Sequence, residues 1–225
     1  GGDVKPLGTI PPPAVAYLTV RERADAGIVI SASHNPYEHN GIKVFNSQGY
    51  KLPDATEARI EEHILSPEPM EEQTRGNIGR RHHGMRALKQ AYINYLASTI
   101  ESDLSGLRVL VDCANGAASA TAPELFGRFK AHVDFIHRDP DGININQRCG
   151  STHLEDLSQS VTAGKYDIGV AFDGDADRCL LVDETGGVID GDQVLAVCAT
   201  DLKRRGKLNG NTIVATVMSN LGLHE

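Results

Sequence analysis

Short apolar runs alternate with longer amphipathic stretches along this chain of 225 residues. Residues 27–31, 107–111 and 167–172 have the length and the Val, Ile and Leu content of buried strands. Most such runs end in polar residues with Gly, Pro, Asn or Asp, and stretches with helical periodicity lie between them. This alternation predicts an α/β protein made of α/β/α sandwiches with mixed, mostly parallel sheets.

The individual elements follow from the same patterns. Strands are predicted at 27–31, 42–45, 107–111, 132–137, 167–172, 179–183 and 212–218, and helices at 14–26, 54–65, 85–101, 117–129 and 193–205, with one more that ends near 164. Capping boxes are predicted at Asp54 with Glu57 and at Thr152 with Glu155. Asp190 or Asp192 is interpreted as a helix cap rather than as a metal ligand. No helix is predicted after the final strand.

Residues 66–84 form a polar stretch rich in Pro and Gly, and they are predicted to be a linker between domains. The adjacent His82 and His83 in this stretch are interpreted as solvated side chains rather than as metal ligands. The first domain boundary is therefore placed at 84/85.

Composition and charge exclude several classes of function. A net charge of −8 argues against a general nucleic-acid binder, because such proteins need a basic surface. No apolar run has the length of a membrane span, and no signal peptide opens the chain. The four cysteines include no C-x-x-C pair, so they are predicted to be buried free thiols. Together these features predict a cytoplasmic protein that binds neither nucleic acid nor membrane.

The most informative segment is the acidic loop 173–178, which follows the apolar run 168–172. Asp173, Asp175 and Asp177 stand at alternate positions, and the residues between them are small. Alternate side chains of an extended or turn backbone project to one side, so the three carboxylates can converge. Oxygen ligands of this kind suit Mg²⁺ or Ca²⁺. Arg178 adds a fixed cation that suits a phosphate oxygen.

Two other interpretations of the acidic loop compete with this one. An EF-hand would share the spacing of the aspartates, but it requires Gly where Arg178 stands, and helices where strands are predicted. An aspartyl-phosphate phosphatase with Asp173 as the nucleophile would share the D-x-D pattern. That second alternative leaves the polar segment around Ser33 unexplained.

Three motifs follow one another along the chain, namely Ser-Ala-Ser-His-Asn-Pro at 31–36, Asn-Gly-Ile-Lys at 40–43 and Asp-Gly-Asp-Ala-Asp-Arg at 173–178. Together they resemble the motifs of the α-D-phosphohexomutase superfamily. The first motif, together with the segments 141–146, 149–153 and 217–222, is similar to the version found in the phosphoglucosamine mutase branch. The resemblance covers essentially the whole chain.

The resemblance implies a role for each candidate site residue. Ser33 would carry the transferable phosphate, with His34 and Lys43 beside it and Arg178 next to the metal. The ligands of Mg²⁺ would be a phosphoserine oxygen and three carboxylates, namely Ser33, Asp173, Asp175 and Asp177. Lys43 would offset part of the negative charge and could shuttle the proton of the sugar hydroxyl.

The implied activity is that of an isomerase. It interconverts glucosamine 6-phosphate and glucosamine 1-phosphate through a bisphosphate, on the route to UDP-N-acetylglucosamine, so the expected partner is a phosphosugar. The superfamily has four domains, and by resemblance this chain would hold parts of three, at 1–84, 85–187 and 188–225. Sugar-recognition and distal phosphate-binding loops would lie outside it. Residues 1–225 alone are therefore not expected to complete the cycle, because phosphoryl transfer depends on positioning.

Two further functions stay open at this point. The chain could be a non-catalytic module that binds Mg²⁺ or phosphate, or it could belong to another phosphohexomutase, acting on mannose or glucose phosphates. A phosphate adduct on Ser33 would distinguish a carrier enzyme from a passive binder.

Overall fold

The structure is a computed structural model that describes residues 1–68, 72–101 and 103–224. Within these ranges the chain forms two sheets, which are flanked by helices. The strands are β1 (Ala26–Ser31), β2 (Gly41–Asn46), β3 (Arg108–Asp112), β4 (His132–Ile136), β5 (Ile168–Phe172), β6 (Cys179–Asp183) and β7 (Val188–Ile189). The helices are α1 (Pro12–Arg21), α2 (Asp54–Leu65), α3 (Met85–Ser98), α4 (Ala122–Phe126), α5 (Glu155–Gly164), α6 (Gly191–Arg204) and α7 (Leu221–His224).

The first sheet is the antiparallel pair β1–β2, in which Val29 lies opposite Lys43 and Ser31 opposite Gly41. Helix α1 packs against this pair, and its residues Ala14 and Leu18 are fully or almost fully buried. Because β1 and β2 are antiparallel, the end of β1 and the start of β2 lie together. The loop 32–40 that joins them therefore lies at one end of this strand pair.

Helix α3 connects the two halves of the molecule. Tyr92 is buried in the same core as α1, and Tyr95 stacks on Tyr17 with the ring centroids 4.3 Å apart. On its other side, Lys89 donates a hydrogen bond to the carbonyl oxygen of Ala120, at 3.3 Å. Helix α3 thus contacts both the α1 core and the segment before α4.

The second sheet has the strand order β4-β3-β5-β6-β7 and is mixed. Strands β4, β3 and β5 are parallel, whereas β6 and β7 are antiparallel to their neighbours. Alternate residues of β3 pack on opposite faces, Val109 and Val111 toward α4 and Leu110 toward Leu157 of α5. Apolar side chains on both faces explain the continuous hydrophobic runs in the sequence, and they give the predicted α/β/α layering.

Several predicted details at helix ends are wrong. Helix α2 begins after Pro53 and α5 after Leu154, and neither helix has a side-chain cap, so the capping boxes predicted at Asp54 and Thr152 do not form. The segment 117–129 is a 3₁₀ turn followed by the short helix α4, instead of one long helix. The expected cap at Asp190 is confirmed, because its carboxylate accepts the backbone N–H of Gln193 at 2.9 Å.

The strand predicted at 212–218 is also wrong. These residues have no regular structure, and Val214, Val217 and Met218 are highly exposed. A strand needs a neighbouring edge to satisfy its backbone, and no described residue forms a β-bridge with this segment. The chain then forms the helix α7, which was not predicted.

The predicted linker contains one 3₁₀ turn at Arg75–Asn77 and an isolated β-bridge between Arg81 and Val4, and its other described residues are irregular. Residues 69–71 of the linker lie outside the described part of the chain. All four cysteines are free, as expected. Cys113 and Cys149 are buried, but Cys179 and Cys198 are exposed, so the prediction of burial holds for only two of them. Across the described ranges, no helix combines the length and apolarity that a bilayer crossing requires.

Candidate functional site

Two loops from different sheets touch at the candidate site. Loop 32–40 follows β1, and the acidic loop 173–178 follows β5. A Cβ atom added at Gly174 would lie 2.5 Å from the carbonyl oxygen of Ser33 and 2.7 Å from the side chain of Ile145. The backbones can approach this closely only because position 174 has no side chain. Glycine is therefore required here by loop contact, which agrees with the expectation of small residues between the aspartates.

Asp175 joins the loops through hydrogen bonds. Its carboxylate is almost completely buried, and Lys43 of β2 donates to Oδ2 at 2.5 Å while the hydroxyl of Ser31 donates to Oδ1. The same Ser31 hydroxyl accepts the backbone N–H of Ser33 at 2.8 Å. Charge-assisted hydrogen bonds of this kind offset the cost of burying a carboxylate. The contacts place Ser33, Lys43 and Asp175 in one cluster.

Asp173 is fully buried and incompletely satisfied. Its Oδ1 accepts the backbone N–H of Arg178 at 3.3 Å, whereas its buried Oδ2 has no hydrogen-bond partner among the described residues. Burial, reinforced by the nearby charge of Asp177, raises the pKa of the Asp173 carboxyl above its usual range. A buried acceptor without a partner costs about 1–3 kcal/mol. A bound cation would remove that cost, so the loop has the character of a cation site.

The three loop carboxylates do not converge as tightly as the sequence pattern suggested. The described residues contain one group of His, Cys, Asp or Glu side chains whose ligand atoms all lie within 4.8 Å, and the loop aspartates do not form it. Mutual repulsion favours such separation until a cation lies between them. The hydrogen bonds of Asp175 do not exclude a metal, because each carboxylate oxygen has a second lone pair. Asp173, Asp175 and the exposed Asp177 therefore fit Mg²⁺ as a donor set.

The other predicted site residues lie at the rim. His34 and Arg178 are exposed, and in the described structure neither side chain makes a hydrogen bond or an ion pair. The structure thus brings together Ser33, Lys43, Asp173 and Asp175. It leaves His34 and Arg178 facing solvent beside these residues.

Strained backbone occurs in both loops. Ser33 and Ala176 have φ values of +54°, in the left-handed region that residues other than Gly and Asn rarely adopt. Ten other non-glycine residues of the described structure also have positive φ values, so these two values alone do not mark the site.

The group that lies within 4.8 Å is Asp112, His137 and Cys149, and it has a structural explanation. Both carboxylate oxygens of Asp112 already accept backbone N–H groups, from Ala114 and Gly150, each at 2.8 Å. Burial raises the pKa of the Cys149 thiol to about 12, so it stays protonated at neutral pH and is a poor ligand. This cluster therefore ties together the loops that follow β3 and β4.

Sequence reasoning missed two residues of the site. Ser31 was interpreted only as the end of a strand, yet its hydroxyl links Asp175 to the Ser33 backbone. Asn146 drew attention only as part of the segment 141–146, but it contacts both loops. The local pattern of that segment does not reveal a partner 113 residues away.

Comparison with known proteins identifies the class. Family models of the phosphoglucomutase/phosphomannomutase α/β/α domains match residues 1–71 (domain I), 90–187 (domain II) and 190–225 (domain III). The chain belongs to the phosphoglucomutase/phosphomannomutase family, as the three motifs indicated. A solved phosphoglucomutase/phosphomannomutase family protein from Burkholderia thailandensis superposes with a TM-score of 0.74, at 25% identity over 91% of this chain and 45% of that one.

The curated proteins to which this chain is most similar include several phosphoglucosamine mutases. A phosphoglucosamine mutase from Acetivibrio thermocellus is 55% identical over 224 residues, which are 99% of this chain and 50% of that protein. The phosphoglucosamine mutase of Rhodococcus erythropolis is 52% identical over 227 residues, 100% of this chain and 50% of that protein. The chain thus spans about half the length of the curated relatives it matches. N-acetylphosphoglucosamine mutase of Aspergillus fumigatus, solved with GlcNAc-6P and magnesium, shares the fold at a TM-score of 0.51 and 20% identity, over 88% of this chain and 53% of that one.

The Asp112 cluster generates a prediction about pH. His137 lies 3.0 Å from a carboxylate oxygen of Asp112 and 3.0 Å from one of Asp156, and the Asp112 contact raises the pKa of its imidazole. The charged imidazole therefore stabilises the fold fully below the unfolded-state pKa of about 6.5. That stabilisation is lost as the pH rises through the higher folded-state pKa. We expect the free energy of unfolding to fall across this window.

Urea unfolding of the wild type and of His137→Gln at several pH values between 6 and 9 checks this prediction. The variant should show a flatter dependence on pH than the wild type. His63→Gln, at an exposed position on α2, is the matched control and should retain the wild-type slope. Parallel profiles for the wild type and His137→Gln would contradict the prediction.

Proposed function

We propose that this chain supplies the phosphoserine loop and the metal loop of a phosphosugar mutase that interconverts glucosamine 6-phosphate and glucosamine 1-phosphate. The observation that carries the proposal is the contact between the Ser33 loop and the acidic loop. Hydrogen bonds from Lys43 and Ser31 to the Asp175 carboxylate stabilise this contact. A phosphate on Ser33 would stand beside the carboxylates that bind a cation. The 55% identity to a phosphoglucosamine mutase supports the choice of an amino sugar.

The proposed chemistry is two phosphoryl transfers. In the first, the bond from phosphorus to Ser33 Oγ breaks while a bond to a sugar hydroxyl oxygen forms, and the hydroxyl proton ends on Ser33 Oγ. In the second, the bond from the other phosphorus to its sugar oxygen breaks while a bond to Ser33 Oγ forms, and the Ser33 hydroxyl proton ends on the released sugar oxygen. Such transfers need positioning and charge neutralisation more than a strong nucleophile. Lys43, held on Asp175, offsets negative charge at the reacting centre as a charged ammonium group.

The residues that would hold Mg²⁺ are Asp173, Asp175 and Asp177, together with an oxygen of phosphorylated Ser33. When bound, the metal neutralises charge on the transferring phosphoryl group. His34 and Arg178 are exposed beside the two loops and are proposed to contact the phosphate. The fold shared with the Aspergillus enzyme, which was solved with GlcNAc-6P and magnesium, supports this assignment.

The proposal includes the organisation of the chain. Domain limits at 1–84, 85–187 and 188–225 are supported by the family matches at 1–71, 90–187 and 190–225. The contacts of α3 with the α1 core make that helix a connection between the first two domains. A cytoplasmic location is supported by the four free thiols. The expectation that residues 1–225 alone do not complete the cycle stays a prediction.

The structure disfavours the phosphatase alternative. A nucleophilic Asp173 would leave the polar segment around Ser33, and the close contact of its loop with the acidic loop, without a role. Ser33 is half-buried, with its loop at the surface, and is the better placed acceptor. Phosphorylation of Ser33 would distinguish the mutase from the non-catalytic alternative.

Phosphorylation of Ser33 is the experiment that tests the proposal. Incubation with glucosamine 1,6-bisphosphate and Mg²⁺ should add one phosphate to Ser33, as mapped by mass spectrometry of peptides. Ser31 should stay unmodified, because its hydroxyl is engaged with Asp175 and with the Ser33 amide. Ser33→Ala should remove the adduct.

Mannose and glucose 1,6-bisphosphates serve as comparison donors in that experiment. Slower labelling by both donors supports the amino-sugar assignment, whereas faster labelling by either would favour another phosphohexomutase. Phosphate on Ser31 or Asp173, or no adduct with any donor, would contradict the proposed function.

Mg²⁺ binding at the acidic loop is a separate prediction. Asp173→Asn should weaken Mg²⁺ binding at least tenfold in calorimetry, because it removes a charged ligand from the buried side of the site. The same variant should stabilise the metal-free protein by about 1 kcal/mol, because a carboxylate buried against like charges is replaced by a neutral amide.

Asp139→Asn provides the matched control for this measurement. Asp139 is exposed, and within the described residues its carboxylate makes no hydrogen bond, so the variant has the same change of net charge outside the acidic loop. Its Mg²⁺ affinity should equal that of the wild type. Equal affinities for Asp173→Asn and the wild type would contradict the metal assignment.

A further inference from the structure

Asn146 contacts both loops of the candidate site. Its Nδ2 donates to the carbonyl oxygens of Ser33, at 2.8 Å, and of Asn35, at 2.9 Å. Its Oδ1 accepts the backbone N–H of Gly174 at 2.9 Å. Both donors and the acceptor of the amide are therefore used, on a side chain that is only 7% exposed.

We propose that Asn146 is a positioning residue that fixes the Ser33 loop against the Asp173–Asp177 loop for phosphoryl transfer. This inference rests on the proposed function. Asn146 touches neither the expected phosphate nor a carboxylate, and it acts through the backbones of Ser33 and Gly174. A phosphoserine must stand within a fraction of an ångström of its working position, since a misplacement of 1 Å can cost about 100-fold in rate.

Asn146 lies in the loop after β4 and is itself held in place by the loop after β3. Its backbone N–H donates to the carbonyl oxygen of Ala114 at 2.9 Å, and its φ of +58° lies in the left-handed region that Asn tolerates. The backbone of Asn146 is therefore fixed. It belongs to the same half of the molecule as the acidic loop, and the side chain extends from there to the Ser33 loop.

No other side chain reproduces this set of contacts. Asp lacks the two donors and would place a carboxylate against two carbonyl oxygens, while Gln is one methylene longer. Ala would leave the oxygens of Ser33 and Asn35 and the N–H of Gly174 without their partner, at a cost of about 1–3 kcal/mol for each group that stays buried. The Asn side chain is thus specified by hydrogen bonding on both sides.

The role of Asn146 can be separated from charge effects. The contacts of Lys43 and Ser31 involve Asp175, so substitutions there alter the proposed metal site as well. Loss of the Asn146 amide leaves every carboxylate and Lys43 in place. A defect of Asn146→Ala in transfer, with normal Mg²⁺ binding, would therefore report position alone.

The first test measures phosphorylation of Ser33 by glucosamine 1,6-bisphosphate at saturating Mg²⁺, as a function of donor concentration. In Asn146→Ala the maximal rate should fall by about 10-fold to 100-fold. The half-saturating donor concentration and the Mg²⁺ affinity should stay within about twofold of the wild type. Asn146→Asp, which keeps the volume and the left-handed preference, should show the same loss because it lacks the donors.

Asn144→Ala is the matched control, because the Asn144 side chain bonds only within its own loop, to the backbones of Asp139 and Asp141, both at 3.0 Å. It should keep the maximal rate within about threefold. A wild-type maximal rate in both Asn146 variants would overturn the inference and leave the proposed function standing.

Amide hydrogen exchange provides the readout that does not need activity. The N–H of Gly174 should exchange at least tenfold faster in Asn146→Ala than in the wild type or in Asn144→Ala. A wild-type protein that never gains phosphate on Ser33 contradicts the proposed function. In that case the amide exchange rates still test whether Asn146 joins the two loops. Unchanged exchange at Gly174 in Asn146→Ala overturns that contact, and faster exchange confirms it.

Discussion

The buried carboxylate of Asp175 depends on donors from the other half of the molecule. Lys43 and Ser31 come from the β1–β2 unit, whereas Asp175 follows β5 of the second sheet. Removing either donor would leave a buried charge poorly compensated, and this is among the most costly changes in a protein interior. The orientation of the two units and the integrity of the acidic loop are thus linked by one side chain.

This dependence has a chemical consequence. The loop that carries the carboxylates and the loop that carries Ser33 are brought to one place by contacts between units, with the fit of Gly174 against the Ser33 backbone as the closest approach. Asp173 keeps a buried oxygen without a partner in the described part of the chain, at a cost in stability that a bound cation would remove. The features that make the site costly to fold are those that the proposed phosphoryl transfer would use.

The sequence predicted the parts that depend on local pattern. Buried strands such as β3 and β5 are continuous apolar runs, and the acidic loop follows directly from its spacing. The strand expected at 212–218 failed because apolar content indicates burial only where a neighbouring edge exists. Ser31 and Asn146 could not be assigned in advance, since their partners lie 144 and 113 residues away and depend on tertiary contact.

A double-mutant cycle between Lys43 and Asp175 tests most directly whether the two units are joined at the site. The free energy of unfolding would be measured for the wild type, Lys43→Met, Asp175→Asn and the double variant in buffer free of divalent cations. We expect a coupling of about 1–3 kcal/mol, because the pair is short and one partner is almost fully buried. Additive effects, with a coupling near zero, would show that the Ser33 unit and the acidic loop are not held together in solution, and would contradict the composite site.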